Sequence, residues 1–98
     1  MYYTYAIYSL HRNYIYVGIT DNIERRFIQH NNGYNKTTKP YAPFKILLIE
    51  QFPDRIKARQ REKYLKSGIG KDFLRKILSE QNNSADLSVQ PGWKEGDS

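Results

Sequence analysis

The stretch Tyr14-Ile15-Tyr16-Val17-Gly18-Ile19 decides how this chain is read. Its residues are β-branched, aromatic or glycine, and successive side chains of a strand point to opposite faces. Ile15, Val17 and Ile19 therefore share one face, and Tyr14, Tyr16 and Gly18 share the other. The first face suits a core. The second presents phenols around a glycine, an odd lining for a purely structural strand. Upstream, residues 2 to 10 alternate more loosely and are equally rich in strand formers. The polar link His11-Arg12-Asn13 is short enough to join the two segments as an antiparallel hairpin.

Outward from the hairpin, Asp21 is placed to cap a helix, with Glu24 completing a capping-box pattern. Ile23 and Phe27 mark its buried stripe, Asn32-Gly33 its stop, and Arg26 and His30, four apart, project together. A polar loop over residues 34 to 43 leads to a strand over 44 to 52, whose run Ile46-Leu47-Leu48-Ile49 predicts burial on both faces and hence a central position. Pro53-Asp54 opens a second helix that ends at Gly68. A short helix from Lys71 to Leu78 closes the core with Phe73, Leu74, Ile77 and Leu78. The expected fold class is α/β (α+β): a small three-stranded mixed or antiparallel sheet flanked by helices, in the order β-β-α-β-α-α. One domain spans residues 1–78, and residues 79–98 form a polar, acidic, flexible tail unless Leu87, Val89 or Trp93 docks.

With 98 residues the chain has room for one modest core, so any site must share residues with it. The absence of cysteine excludes disulfides, zinc–thiolate clusters and thiol nucleophiles. No apolar run reaches membrane-spanning length and Met1-Tyr2-Tyr3-Thr4 lacks signal-peptide character, so a cytoplasmic location without a membrane partner is expected. The net charge of +6 is uneven: residues 55–76 carry nine Lys/Arg against two acids, and residues 77–98 one against four. Clustered cations suit a polyanion, although a well-solvated basic helix produces the same count. Six of the nine tyrosines precede Ile19, as either sheet packing or stacking surface for bases.

Glu62 lies on the stripe that Ala58 and Leu65 define, and an inward carboxylate needs a cation or a metal. An ion pair with Arg59 or Arg26 would satisfy it; so would Mg²⁺ (or Mn²⁺), which holds much of its own water and needs few protein ligands. Arg26 and His30 fit a solvated helix face or, beside strand phenols, a phosphate-handling pair. Arginine offers a planar fork to phosphate, and histidine moves protons near neutral pH.

Four segments in order, Ala6-Ile7-Tyr8-Ser9-Leu10, Tyr16-Val17-Gly18-Ile19-Thr20, residues 22 to 31 with Arg26 and His30, and residues 61 to 68 with Glu62, resemble the signatures of the GIY-YIG nuclease family. The similarity covers roughly residues 2 to 78 and is nearest to the small single-domain branch and to the N-terminal nuclease module found in excinuclease ABC. The resemblance implies a divalent-metal-dependent endonuclease acting on DNA. Tyr8 and Tyr16 would meet across the hairpin, one of them (Tyr8 by preference) serving as base. Arg26 would stabilise the transition state, His30 would assist proton transfer or hold the phosphate, and Glu62 would be the sole protein ligand of the metal. Arg25, Lys36, Lys39, Arg55, Arg59, Lys63 and Lys66 would track the DNA backbone. Ala6 departs from the family's glycine, Val17 from its isoleucine, and Ile19 replaces a lysine of some branches.

So short a chain has no separate recognition domain, which points to structure-specific or nonspecific cleavage of nicked, branched or single-stranded DNA in repair or recombination. The alternatives are a non-catalytic nucleic-acid binder on the same scaffold and a subunit that needs a protein partner.

Overall fold

The computed structural model describes residues 1–89. Strands β1 (Tyr2–Ser9), β2 (Ile15–Thr20) and β3 (Phe44–Phe52) form one antiparallel sheet in the order β2-β1-β3. Three helices accompany it: α1 (Ile23–Asn31), α2 (Arg55–Lys66) and α3 (Gly68–Val89). The expected element order and α+β class are those observed. Among the described residues no helix is long and apolar enough to cross a membrane.

The hairpin register matters most for the site. Ser9 N donates to Tyr14 O, so the loop closes on those two residues. Ser9 Oγ accepts from Arg12 N and donates to Tyr41 O, fixing the turn. Tyr8 therefore pairs with Ile15, Ile7 with Tyr16 and Tyr5 with Gly18. A three-residue link closing on Leu10 and Tyr14 would have set Tyr8 opposite Tyr16. The extra loop residue slips the register by one, and a slip of one turns every β1 side chain to the other face.

Each face of β1 thus has its own cover. On one side Tyr5, Ile7 and Phe44 pack with Ile23 and Phe27 of α1. On the other, Ala6, Val17 and Leu47 pack with Leu65 of α2 and Leu74 of α3, and Tyr8 lies against this second cluster. Thr4, fully buried, donates from Oγ1 to Ala58 O at 2.7 Å and anchors α2 under the sheet. Ala58 and Leu65 are both fully buried, as the helical stripe predicts.

Four expectations change. The central strand is β1 rather than β3, whose apolar run lies on an edge. A register shift between Ala6 and Ile7 lets Leu47 join the α2 cluster, while Ile46 and Ile49 stay 36% and 42% exposed. The cap of α1 is Asn22, whose side chain accepts from Arg25 N, and Asp21 instead pairs with the Arg25 guanidinium at 3.3 Å. The shared face of Arg26 and His30 is not solvated: His30 is fully buried and Arg26 half-buried. Finally, α3 starts at Gly68 and continues past Leu78 to Val89, because residues 71–89 contain neither glycine nor proline to stop it. The remainder of the expected acidic tail, with Trp93, lies outside the described residues.

The corner between α2 and α3 turns on Ser67, whose hydroxyl accepts from Gly70 N at 3.2 Å, while its backbone N donates to Tyr64 O at 3.0 Å. Arg61 braces the same corner. Its guanidinium makes two hydrogen bonds to Glu50 of β3, at 2.7 and 3.1 Å, and lies over the rings of Tyr64 and Phe73. Gly70 has no room for a side chain, since a Cβ would overlap the Tyr64 carbonyl and the Leu65 backbone. Gly70→Ala gains helix propensity of about 1 kcal/mol but forces the helices apart. The expected net loss is about 2 kcal/mol, the usual range for overpacking, read as a lower urea midpoint at constant m-value.

Candidate active site

The site forms where α1 lies on the Tyr5 face of the hairpin. His30, at the last turn of α1, is enclosed by the rings of Tyr5, Tyr16 and Phe44, with centroids 5.9, 5.0 and 6.1 Å away. Its Nε2 is 2.8 Å from the Tyr5 hydroxyl and its Nδ1 2.8 Å from Thr38 Oγ1. Thr38 is itself fully buried and comes from the loop between α1 and β3. Gly18 faces the same spot: a Cβ there would meet the Tyr5 hydroxyl at 2.8 Å and the Tyr16 ring at 3.0 Å. The glycine makes space for two phenols side by side.

Electrostatics fix the protons. Burial pushes the Tyr5 phenol up to about 12, against the opposing pull of the Arg26 guanidinium, with the charge of Glu62 a smaller influence in the raising direction. Burial, helped by the Arg26 charge, lowers His30 to about 4. At neutral pH Tyr5 therefore keeps its proton and His30 is neutral. A protonated phenol donates, so the bare nitrogen of the imidazole is Nε2. Nδ1–H then donates to Thr38 Oγ1, whose own hydroxyl reaches Asn35 O at 3.5 Å. Arg26 completes the chain. Hydrogen bonding to the Tyr5 hydroxyl holds its guanidinium above its ordinary value, with Tyr16 adding in the same sense. Its Nε is buried without a hydrogen-bond partner, the one such side-chain atom among the described residues.

Glu62 comes from α2, which packs on the other face of the sheet from α1. Its side chain is 12% exposed, with carboxylate oxygens 3.1 Å from Lys66 Nζ and 3.4 Å from Arg59 Nε. The ion pair expected with Arg59 forms, and Lys66 joins it. Among the described residues no three His, Asp or Glu side chains cluster as metal ligands.

Of the residues singled out in the sequence, the structure brings Tyr16, Arg26 and His30 together, while Glu62 stays with Arg59 and Lys66 of its own helix and has only a minor electrostatic influence on Tyr5. The structure does not bring Tyr8 to them, because the register places it on the opposite face against the Leu65–Leu74 cluster. Tyr5 stands where Tyr8 was expected. Sequence reading missed Tyr5 and Thr38: the first was recoverable from the loop length, the second carried no local signal. The backbone-track residues separate. Arg55, Arg59 and Lys63 line one shallow cleft on α2, and Arg25, Arg26 and Arg55 share another of about 480 Å³ with Tyr2 and Gln29. Lys36 and Lys39 are exposed on the loop, where Lys39 lies along Gly33.

A buried arginine donor beside two phenols and a neutral imidazole offers hydrogen-bond donors of the kind that suit an anionic oxygen, on an α+β scaffold. The family model of the GIY-YIG catalytic domain matches residues 1–74, and the chain belongs to the GIY-YIG family. Members of that family are in general nucleases acting on DNA. A UPF0213 protein of Clostridium perfringens is 31% identical over 80 residues, covering 76% of this chain and 86% of its own. UPF0213 proteins of Bacillus licheniformis and Staphylococcus saprophyticus are 34% and 36% identical, over 74% and 67% of this chain and 75% and 80% of theirs. No solved structure matches.

Two outcomes follow from the buried imidazole. An unfolded histidine takes up a proton near 6.5, whereas folded His30 waits until about 4. Stability is therefore fully present above 6.5 and lost as pH falls towards 4. Urea midpoints measured across that window should fall more steeply for wild type than for His30→Gln, and parallel curves would refute the assignment. Long-range ¹⁵N spectra at pH 7 should show His30 as the Nδ1–H tautomer, with Thr38→Val raising the Nε2–H population and Thr38→Ser restoring the wild-type pattern.

Proposed function

We propose that this chain is a divalent-metal-dependent endonuclease that hydrolyses DNA phosphodiester bonds, either structure-specific or nonspecific, in repair or recombination. The observation that carries the reading is the buried, unpartnered Nε of Arg26 beside the Tyr5 and Tyr16 hydroxyls. A buried donor without an acceptor is costly, and an incoming phosphate oxygen would relieve that cost. Arginine there also meets the charge that develops on the equatorial oxygens as phosphorus is attacked.

The proton path follows from the protonation states. A phenol held near 12 is not a standing base at neutral pH. Its oxygen can nevertheless receive a proton from the attacking water while its own proton passes to His30 Nε2, 2.8 Å away. The water oxygen forms its bond to phosphorus, and the bond from phosphorus to the 3′ oxygen breaks with its electron pair leaving on that oxygen, which takes a proton from solvent water. The imidazolium is held through Nδ1–H by Thr38 until it loses its proton to solvent. Tyr16 packs against His30 and lends its hydroxyl to Arg26, so its role is to position both. Tyr8 has no part.

Mg²⁺ or Mn²⁺ fits the donor set in one respect: Glu62 is a poorly exposed carboxylate whose only ion-pair partners among the described residues are long, flexible cations of its own helix. It would hold the metal with phosphate oxygens and waters as the other ligands, and the metal would supply charge neutralisation at the scissile phosphate.

The test is cleavage of nicked, flapped, branched and plain duplex DNA with Mg²⁺, Mn²⁺ or chelator. Tyr5→Phe should lower kcat by about 10²–10⁴, and Arg26→Lys and Glu62→Gln by about 10²–10³. Tyr8→Phe should stay within about twofold. Binding without metal-dependent cutting of any substrate would end the enzyme reading, and a Tyr8 effect larger than the Tyr5 effect would end this assignment of roles.

A further inference from the structure

β2 is an edge strand, and beyond its free edge lies a pocket of about 420 Å³ closed off by the start of α3. Its floor is apolar: Ile15 and Val17 from β2 and Leu74 from α3. Its rim is cationic, formed by Lys66, Lys71 and Arg75, and among the described residues no acid lines it. Tyr14 also lines it, and its ring stacks in parallel on Tyr41 with centroids 3.8 Å apart. The pocket lies on the Leu65–Leu74 face of β2, across the strand from His30; Tyr16 is common to its lining and to the His30 cluster, and Lys66 of its rim contacts Glu62 at 3.1 Å.

We infer that this pocket takes the base of an unpaired nucleotide next to the reacting phosphate, with the strand's phosphates on Lys71 and Arg75; the inference rests on the nucleic-acid reading above. The lining argues for the occupant. Phosphates alone need cations and no apolar floor. A continuous duplex offers mainly phosphates and groove edges to a surface, because its bases are stacked inside. A recess with an apolar floor, tyrosines at its border and a cationic rim matches a base removed from its stack, since base surface is flat and apolar and its own phosphate is close by. The rim cations are available for this. Among the described residues Arg75 pairs only with Asp72, in an exposed 3.4 Å contact, and Lys71 has no salt bridge. The consequence is a substrate class: a single strand, or a duplex interrupted by a flap, gap or overhang, in preference to plain duplex.

The experiment uses the full chain in chelator, so that nothing is cut, and follows fluorescence anisotropy of a labelled single strand, an overhang duplex and a blunt duplex of the same sequence. Lys71→Ala/Arg75→Ala, both at exposed positions, should weaken the single strand and the overhang about tenfold or more and the blunt duplex by under about twofold. The salt slope for the single strand should fall by about 1.4, the value for two lost phosphate contacts. Scanning one abasic position along the strand should find a single position where affinity drops about fivefold or more. Equal losses on all three probes would overturn the inference, because the cations would then belong to a general backbone track. Indifference to every abasic position would overturn it too. A chain that binds in the expected way but cuts no DNA with metal would leave this pocket standing and end the nuclease reading instead.

Discussion

The imidazole of His30 is a polar ring with no solvent contact, and much of the molecule is arranged around keeping it satisfied. A buried polar atom without a partner costs about 1–3 kcal/mol, so both ring nitrogens must be answered from inside the protein. Tyr5 answers one from the middle of the central strand. Thr38 answers the other from a loop that has no regular structure except a short turn at Lys39–Tyr41. This one contact ties three separate parts of the chain: β1, the end of α1 and the α1–β3 connection. The loop's exit is secured nearby by Asn31, whose side-chain oxygen accepts from Phe44 N at 2.7 Å. The core and the candidate site are consequently not separable. A substitution at Thr38 or His30 acts on stability and on the proton path through the same two hydrogen bonds.

The strand pairing controls which residues belong to that site. The alternation of Ile15, Val17 and Ile19 against Tyr14, Tyr16 and Gly18 was legible, and so were the helix stop at Gly33, where φ is +77°, and the Ala58–Leu65 stripe. The assignment of Tyr8 failed for a reason of geometry. A motif tyrosine was matched by its neighbours in the string, whereas membership of the site depends on parity across the hairpin, and parity depends on one loop residue. Counting from a loop closed by Ser9 and Tyr14 places Tyr5 beside Gly18 and Tyr16 at once. Thr38 was invisible to such reasoning, because its partner lies eight residues away through an irregular loop. The edge position of β3 was hidden likewise: an unbroken apolar run reads as central, but here a bulge divides the run between two faces.

Charge was legible as an amount and not as a layout. Nine cations between residues 55 and 76 suggested one continuous track. Folded, they divide by function. Arg61 is withdrawn into a bidentate bond with Glu50 and holds β3, α2 and α3 together. Arg59 and Lys66 flank Glu62, while Lys71 and Arg75 turn to the edge of β2. Equal charges on two successive helices thus serve packing, carboxylate pairing and an open pocket, and only the tertiary arrangement distinguishes them.

Burial also decides what kind of chemistry the site can support on the nuclease reading. A tyrosine made basic by a neighbouring cation would need the cation to outweigh the loss of water, and at Tyr5 desolvation is the larger effect. The same desolvation strips His30 of its charge. The two shifts have opposite signs in pKa but a common result: both groups are neutral near pH 7, with a proton on the phenol and a free lone pair facing it. Such a pair stores no charge while the site is empty, which suits a small core that could not hold an isolated phenolate. It would become useful if a phosphate anion arrived on Arg26, because that anion would offset the arginine charge, which adds to burial in keeping the imidazole deprotonated. Substrate binding would then raise the basicity of His30 at the moment a proton has to be taken up, so that the cost of ionising the buried pair is met by the bound substrate and not by the fold.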